Sequence, residues 1–146
     1  MIMNVQETKK ATEVRIHWSE FYDAVSRGKP EVITRTRDSI FTSNIVTMKE
    51  LLKVYTFTVN LFNEDDGTVT ASLKELDIVV NGDNEEDVIT LLVDDIIEYS
   101  KEFYAEFSYW SSAPNRKAHA PYILNVLMQD NIDGVKALIK CQPGEI

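Results

Sequence analysis

Hydrophobic and polar residues alternate most regularly in the middle of the chain. Over residues 55–61 and 69–73, apolar side chains occupy every second position, and threonine, serine and asparagine occupy the positions between them. A period of two is typical of a strand that buries one face, and Asp66-Gly67 between the runs is a turn signal. The pattern predicts a β-hairpin with one apolar and one solvated face. Residues 78–80 are predicted to form a third strand that ends at Asn81-Gly82.

A helical period follows the third strand. Apolar residues recur at intervals of three and four along residues 88–110, which predicts one long helix with a single buried stripe. Asp83 or Asn84 is the expected N-cap, and the acids that follow suit the positive end of the helix dipole. The predicted stripe consists of Val88, Leu91, Leu92, Ile96, Tyr99, Phe103, Phe107 and Trp110.

The chain before the hairpin contains shorter elements. Residues 13–17 alternate and predict a strand. Residues 18–25 have a helical period, with Ser19 as the expected N-cap and Gly28 as the expected stop.

Two further strands are predicted over residues 31–35 and 39–45, on either side of a tight polar turn. Thr47 is then expected to cap a short helix. A strand–helix–strand–strand–helix unit of about fifty residues buries little of its own surface. This small size favours a homodimer.

Prolines interrupt the pattern after residue 110. Residues 111–121 contain two prolines and a polar run. Residues 122–128 and 132–139 have helical spacing and predict two short amphipathic helices. Pro143-Gly144 is expected to mark a frayed end.

Together these elements predict an α+β fold. It consists of a small strand–helix–strand–strand unit, a three-stranded antiparallel sheet packed on a long helix, and a short C-terminal helical segment. The expected domain bounds are residues 1–52, 53–110 and 111–146.

Composition limits the class of protein. With 146 residues, 44% of them hydrophobic, the chain has enough apolar material for one good core or two small ones. No apolar run approaches the roughly 18–20 residues that span a bilayer, and residues 1–10 lack the apolar centre of an export signal. Cys141 is the only cysteine, so no internal disulfide can form. We therefore expect a cytoplasmic protein without a membrane segment.

Charge is divided unevenly along the chain. Residues 1–50 contain eight Lys and Arg against seven Asp and Glu, whereas residues 51–146 contain seven against seventeen. The net charges are about +1 and −10, which give the −9 of the whole chain. The N-terminal part is therefore a candidate for contact with a polyanion, whereas the acidic remainder would repel a polyanion and attract a basic protein.

The sequence contains no catalytic or metal-binding motif. It has no P-loop, no glycine-rich dinucleotide turn and no Gly-x-Ser-x-Gly elbow. His17 and His119 have no Cys or second His at ligand spacing. If Gly67 were the glycine of a calcium loop, Phe62 and Leu73 would stand at ligand positions, and neither side chain can coordinate. We expect no enzyme activity, no metal and no cofactor.

Basic residues are concentrated near the N-terminus. Scattered surface charge is the ordinary explanation, but Arg35 and Arg37 flank a predicted hairpin turn. A dimer would present the same patch twice to a duplex. The candidate DNA-binding residues are Lys9, Lys10, Arg15, Arg27, Lys29, Arg35 and Arg37.

Residues 14–52 combine a helix, a proline corner, a strand and a second short helix in a recognisable order. These features are the helix at residues 18–26, the corner Gly28-Lys29-Pro30, the strand Glu31-Val32-Ile33-Thr34-Arg35 and the short helix at residues 47–52. In this order they resemble the Phd/YefM antitoxin fold. The resemblance implies a dimerising unit that binds operator DNA.

Residues 55–107 combine a hairpin with the start of a long helix. The features are the Asp66-Gly67 hairpin, the strand at residues 70–72 and the helix start Gly82-Asp83-Asn84-Glu85-Glu86. With these features, residues 55–107 look like a HicB-type domain. The combination, together with residues 113–122, is similar to fused antitoxins that partner RelE-like toxins. It implies a type II antitoxin that neutralises a RelE-like ribonuclease toxin by direct binding and represses its own operon.

A toxin that cleaves messenger RNA must hold phosphates, so its active surface is expected to be basic. The acidic part of the chain would steer to that surface, and apolar anchors would supply most of the affinity. For the anchors, packing over the long helix of the same molecule is an equal alternative. The candidate toxin-binding residues are Glu85, Glu86, Asp94, Tyr122, Leu124, Leu127 and Leu138.

Two other hypotheses stay open. One is a dimeric protein-binding module without DNA-binding activity, because the net charge of residues 1–50 is only about +1. The other is a small hydrolase or ligand-binding protein that uses the acidic hairpin and helix. A rise in melting temperature with magnesium, manganese or zinc would favour the second of these.

Overall fold

The structure is a computed structural model that describes residues 1–4 and 7–145. The chain divides into two compact units, Met1–Leu51 and Leu52–Ile146. Helices and strands occur in both units, which confirms the predicted α+β class. Within the described residues, no helix is both long enough and apolar enough to cross a membrane.

The first unit is built on a three-stranded sheet in the order β1-β2-β3, in which β1 is parallel and β3 antiparallel to the central strand. Its buried apolar side chains, among the described residues, are Val14, Val25 and Val32. The elements are β1 (Lys9–Lys10), α1 (Ala11–Ile16), α2 (Trp18–Arg27), β2 (Glu31–Arg35), β3 (Asp38–Thr42) and α3 (Ile45–Leu52), whose last residue falls in the second unit.

The predicted strand over residues 13–17 is wrong, because these residues belong mainly to helix α1. Val14 is buried, but Ile16 is 69% exposed, so the alternation does not define a buried face. Five residues also make up little more than one helical turn, so a run of this length does not distinguish a strand from a helix without the neighbouring sequence. The strand lies just before, at β1.

Two predicted caps of the first unit are also wrong. Helix α2 begins at Trp18 with His17 at its N-cap position, so Ser19 lies inside the helix. Helix α3 begins at Ile45, and the side-chain oxygen of Asn44 accepts a hydrogen bond from the Thr47 backbone N–H at 2.8 Å. Each cap therefore precedes the predicted position by two or three residues.

The second unit is a four-stranded sheet in the order β6-β5-β4-β7, packed against helix α4. Strands β4, β5 and β6 are antiparallel, which confirms the predicted hairpin and third strand, and β7 is parallel to β4. The elements are β4 (Phe57–Asn63), β5 (Val69–Leu73), β6 (Ile78–Gly82), α4 (Glu85–Ala105), α5 (Phe107–Ser112), a 3₁₀ turn (Lys117–His119), α6 (Ala120–Leu127), α7 (Ile132–Lys136) and β7 (Ile139–Pro143).

The predicted frayed end at Pro143-Gly144 is wrong, because residues 139–143 form the fourth strand. Ile139 pairs with Phe57, and the Gly144 N–H donates to the Leu61 carbonyl oxygen at 2.7 Å. Helix α7 accordingly ends at Lys136 rather than at residue 139. A parallel partner some eighty residues away leaves no local pattern in the sequence.

Helix α4 follows the predicted stripe in most positions. Asn84 is its cap, with the side-chain oxygen accepting from the Asp87 N–H at 2.9 Å. Leu91 departs from the prediction, since it is 45% exposed. The buried stripe is broad because α4 meets the sheet and also α6. Its buried residues are Val88, Ile89, Leu92, Val93, Ile96, Ser100 and Phe103.

The predicted helix through Trp110 is interrupted at Glu106, whose backbone leaves the helical region at φ −124 and ψ 45. Phe107 and Trp110 follow on the separate helix α5 and pack against the core. Across the break, the ring of Phe107 on α5 still contacts that of Phe103 on α4, with centroids 5.6 Å apart.

Gly82 provides a test of how closely β6 approaches α4. A Cβ atom at this residue would lie 2.8 Å from the Val88 backbone nitrogen and 3.0 Å from its Cα atom. Gly82→Ala is therefore expected to lower the free energy of unfolding by about 1–3 kcal/mol, measured by urea denaturation. Val79→Ala on the exposed face of the same strand is the control, expected within about 0.5 kcal/mol of wild type. Equal stability of the two variants would contradict the close packing.

Candidate nucleic-acid and protein interfaces

All seven candidate DNA-binding residues of the first unit are exposed. Among residues 1–4 and 7–145, none of them forms an ion pair within 4.0 Å. Their positive charge is therefore not neutralised inside the described part of the chain. This is the arrangement that contact with phosphates requires.

Strand pairing brings Lys10 and Arg35 together. Lys10 is opposite Thr34 in the parallel pair of β1 and β2, so it lies next to the end of β2 that carries Arg35. Both side chains line a depression of about 440 Å³. Cations and hydroxyls are the side chains that contact phosphate oxygens most often. The lining residues are Thr8, Lys10, Ala11, Thr12, Thr34, Arg35 and Thr36.

The remaining basic residues of the first unit are not all brought to that depression. Arg37 lies in the turn between β2 and β3, next to Thr36, whose backbone has a φ of +55°. Arg27 and Lys29 precede the opposite end of β2, which is roughly 13 Å away for a five-residue strand. Arg15 lies on α1. Lys9, opposite Ile33, lines a different depression together with acids such as Glu13 and Glu31. The structure therefore groups three of the seven residues around the β2–β3 turn and two before β2, and it leaves Lys9 and Arg15 outside both groups.

In the second unit, the exposed side of α4 is acidic. Glu85 and Glu86 are exposed in its first turn, and Asp94 is exposed further along. Asp94, Glu98 and Glu102 succeed one another at intervals of four, a spacing at which like charges destabilise a helix. Lys101, three residues after Glu98, is the one cation on α4, and the last turn of the helix has none. The acidic side is therefore available to a basic partner.

The other candidate toxin-binding residues are only partly exposed. Tyr122 stacks on Phe57 with ring centroids 5.7 Å apart and meets the edge of Tyr55 at 5.3 Å. Leu127 and Leu138 pack against the core, and Leu124 is half-buried. Internal packing therefore accounts for three of the four, and their contact with a toxin stays a prediction.

A polar network in the second unit was not predicted. The Tyr99 hydroxyl lies 2.7 Å from His119 Nδ1, and Arg116 Nη1 donates to the same hydroxyl at 3.0 Å. When His119 is neutral with its proton on Nε2, the Tyr99 hydroxyl donates to Nδ1 while it accepts from Arg116. His119 Nε2 lies 4.0 Å from Asp77 Oδ2. The guanidinium of Arg116 also lies over the rings of Tyr99 and Trp110, at 5.5 and 5.8 Å.

Burial and electrostatics agree with a neutral His119. Its side chain is buried, and this burial, together with the nearby Arg116 charge, lowers the pKa of His119 below its ordinary value against the opposing effect of Asp77. The network fastens the turn before α6 to helix α4. Sequence offered no signal for it, because its members are up to 42 residues apart and His119 has no neighbour at ligand spacing.

Metal binding has no support in the geometry. Within the described residues, no three His, Cys, Asp or Glu side chains are grouped so that they could hold a metal ion. The acids Asp77, Asp95, Glu98 and Glu102 line a shallow depression of about 310 Å³ beside Arg116. Such a surface suits contact with another macromolecule better than the enclosure of a small ligand.

The His119 network predicts a dependence of stability on pH. The unfolded chain binds a proton at its ordinary pKa of about 6.5, whereas the folded chain binds it only at lower pH. The contribution of neutral His119 is therefore fully present above about pH 6.5 and is lost as the pH falls toward the lower folded pKa. Urea denaturation at about pH 7.5 and about pH 5.5 measures this loss.

His119→Gln is expected to reduce the difference between the two pH values, since it removes the titrating group. His17→Gln is the matched control, because His17 is exposed in the first unit. If the two variants showed the same pH dependence as wild type, His119 would not be the group responsible.

Comparison with known proteins gives two matches. A family model described as PHD-like, antitoxin of toxin–antitoxin, RelE/RelB, TA system, matches residues 3–141. The chain is also similar to a crystal structure of the antitoxin part of a proposed toxin/antitoxin system from Syntrophomonas wolfei subsp. wolfei. The two chains are 37% identical with a TM-score of 0.88, over 94% of this chain and 99% of that chain. No curated protein matches the chain significantly.

Proposed function

Because the chain belongs to the PHD-like antitoxin family, we propose that it neutralises a RelE-like ribonuclease toxin by direct binding and represses its own operon. That it is an antitoxin of a toxin–antitoxin system follows from the family and from the related structure. The observation that carries the finer proposal is the placement of charge. Exposed cations lie in the first unit, and an exposed acidic helix lies in the second.

DNA binding is assigned to the first unit, as a Phd/YefM-like domain. The depression that contains Lys10 and Arg35, together with Arg37 in the adjacent turn, supports contact with the phosphate backbone. Contacts of this kind fix position and affinity but not sequence. Repression of the operon by this chain is therefore expected to depend strongly on salt.

Dimerisation is assigned to the same unit. It has only three buried apolar residues in its described part, whereas Ile40 and Phe41 on the edge strand β3 are 58% and 59% exposed. Trp18 and Tyr22 on α2 are likewise more than half exposed. A unit with so small a core is marginal alone and gains stability when a second copy covers its apolar surface.

Toxin binding is assigned to the second unit, as a HicB-like domain without enzyme activity. A toxin that cleaves RNA presents a basic surface, and the acidic side of α4 would raise the rate at which that surface is met. The same surface would be unavailable to RNA while the complex lasts. The toxin would be neutralised because its RNA-binding surface is covered by this chain.

Operator binding is tested with a fragment of the chain's own promoter. Arg35→Ala combined with Arg37→Ala is expected to weaken binding at least about tenfold for all sequences alike. If each residue contacts one phosphate in both protomers of the proposed dimer, four contacts are lost and the salt slope falls by about four. Lys136→Ala combined with Lys140→Ala removes the same charge from the second unit and is the control. Binding that neither pair affects, or no binding by wild type at low salt, would leave a dimeric protein-binding module without DNA-binding activity.

Toxin binding is tested with the product of the neighbouring gene, which the proposal expects to be a RelE-like toxin. Co-expression is expected to restore the growth that the toxin arrests. In purified form, Asp94→Asn combined with Glu98→Gln is expected to slow association about threefold to tenfold and to change dissociation little, because exposed charges mainly set the rate. Asp65→Asn combined with Asp133→Asn makes the same change in net charge away from α4. Equal slowing by both pairs would show that only total charge matters.

A further inference from the structure

The sheet of the second unit has two edges with different chemistry. At one edge, β7 carries Lys140 and Pro143, residues that typically keep an edge strand from pairing with another chain. At the other edge, β6 has neither lysine nor proline, and Val79 is 65% exposed. In the described part of the chain, no strand pairs with the outer side of β6. Its outward N–H and C=O groups are thus open to a further strand.

Strand β6 is held firmly in place. Its five residues pair in register with β5, and Ile78 and Val80 pack against the core. The Asn81 side-chain amide donates to the hydroxyls of Thr68 and Thr70 at 3.0 Å each. Because β6 is already held in place, its outward hydrogen-bonding groups are preformed. A partner strand would therefore bind with little loss of conformational entropy in β6.

Acidic residues select the partner of this edge. Asp77 and Asp83 stand immediately before and after β6. A depression next to Asp77 and Ile78 is lined by three acids and one cation, namely Asp95, Glu98, Glu102 and Arg116, so its acidic residues outnumber its basic one. In an antiparallel pair of two copies centred on Val80, Asp77 of one copy would face Asp83 of the other at both ends. Like charges directly opposite are destabilising, so a second copy is a poor occupant. A strand with cations near its ends would instead be attracted.

We propose that the outer edge of β6 receives an extended, lysine- or arginine-bearing segment of the toxin as a fifth strand. This inference rests on the proposed function, since it names the surface by which the toxin is bound. Backbone hydrogen bonds to β6 supply affinity, and the acidic residues beside it supply selectivity for a basic segment.

Hydrogen–deuterium exchange of the full chain, with and without the purified toxin, tests the pairing directly. Amides of β6 that point outward are expected to exchange slower in the complex, whereas the amides of β7 at the opposite edge are expected to change little. If a complex forms and the exchange of β6 stays the same, the inference is wrong and toxin binding itself stands. If no complex forms, both proposals fail. If β6 becomes protected with rising concentration of the free chain, a second copy is the occupant and the inference is wrong.

A pair of substitutions at Val79 tests the role of charge. Val79→Lys places a cation on the edge and is expected to weaken toxin binding about tenfold or more through repulsion of the basic segment. Val79→Glu has a side chain of similar length and opposite charge and is expected to bind at least as tightly as wild type. Both changes are at an exposed position, and the exchange experiment decides the matter if either variant fails to fold. Equal affinities for the two variants would contradict the inference.

Discussion

The second unit depends on the contact between one face of its sheet and one side of helix α4. Phe57, Val59 and Leu73 on the sheet, and Leu92 and Ile96 on the helix, have no exposed surface at all. Complete burial of a large apolar side chain contributes roughly 1.5–3 kcal/mol each, so this layer dominates the stability of the unit. The same layer determines which surfaces are exposed. Because the apolar stripe of α4 faces the sheet, its acidic residues face away from it. Because β4 and β5 are the central strands, β6 and β7 form the two edges of the sheet.

The first unit has no comparable layer. Its sheet carries a two-residue strand, and large apolar side chains such as Trp18 and Phe41 are more than half exposed. The two units therefore differ in self-sufficiency as well as in charge. The acidic unit is well packed without help, whereas the unit with exposed cations has apolar surface that a second copy would cover. The proposed function makes use of this difference, because it assigns assembly and DNA contact to the first unit and partner binding to the second.

Features with a local cause were predictable from the sequence. The hairpin of β4 and β5, the start of α4 at its Asn84 cap and the end of α2 before Gly28 follow from periodicity and from capping residues. Features that depend on distant partners were not predictable. Strand β7 exists because β4 offers a free side, and the contact of Tyr99 with His119 exists because the turn before α6 returns to α4. The strand predicted over residues 13–17 was wrong for another reason, because so short a run fits both the two-residue period of a strand and a single turn of a helix. Among the candidate site residues, the cations are exposed, and Tyr122 and Leu127 have packing partners in their own unit, which is the alternative that the sequence left open.

Two features of the second unit act against its own stability. Asp94, Glu98 and Glu102 repel one another along α4, a repulsion that Lys101 and the nearby Arg116 only partly offset, and the last turn of the helix has no cation to meet its dipole. On the other side of the depression, β6 leaves its backbone groups unpaired by any described strand. Lysines in the last turn of α4 and on β6 would stabilise the helix and would also keep the edge from pairing with another chain. Neither change is present in a unit whose core is otherwise well packed, and the proposed partner would supply a positive charge and a strand at these two sites.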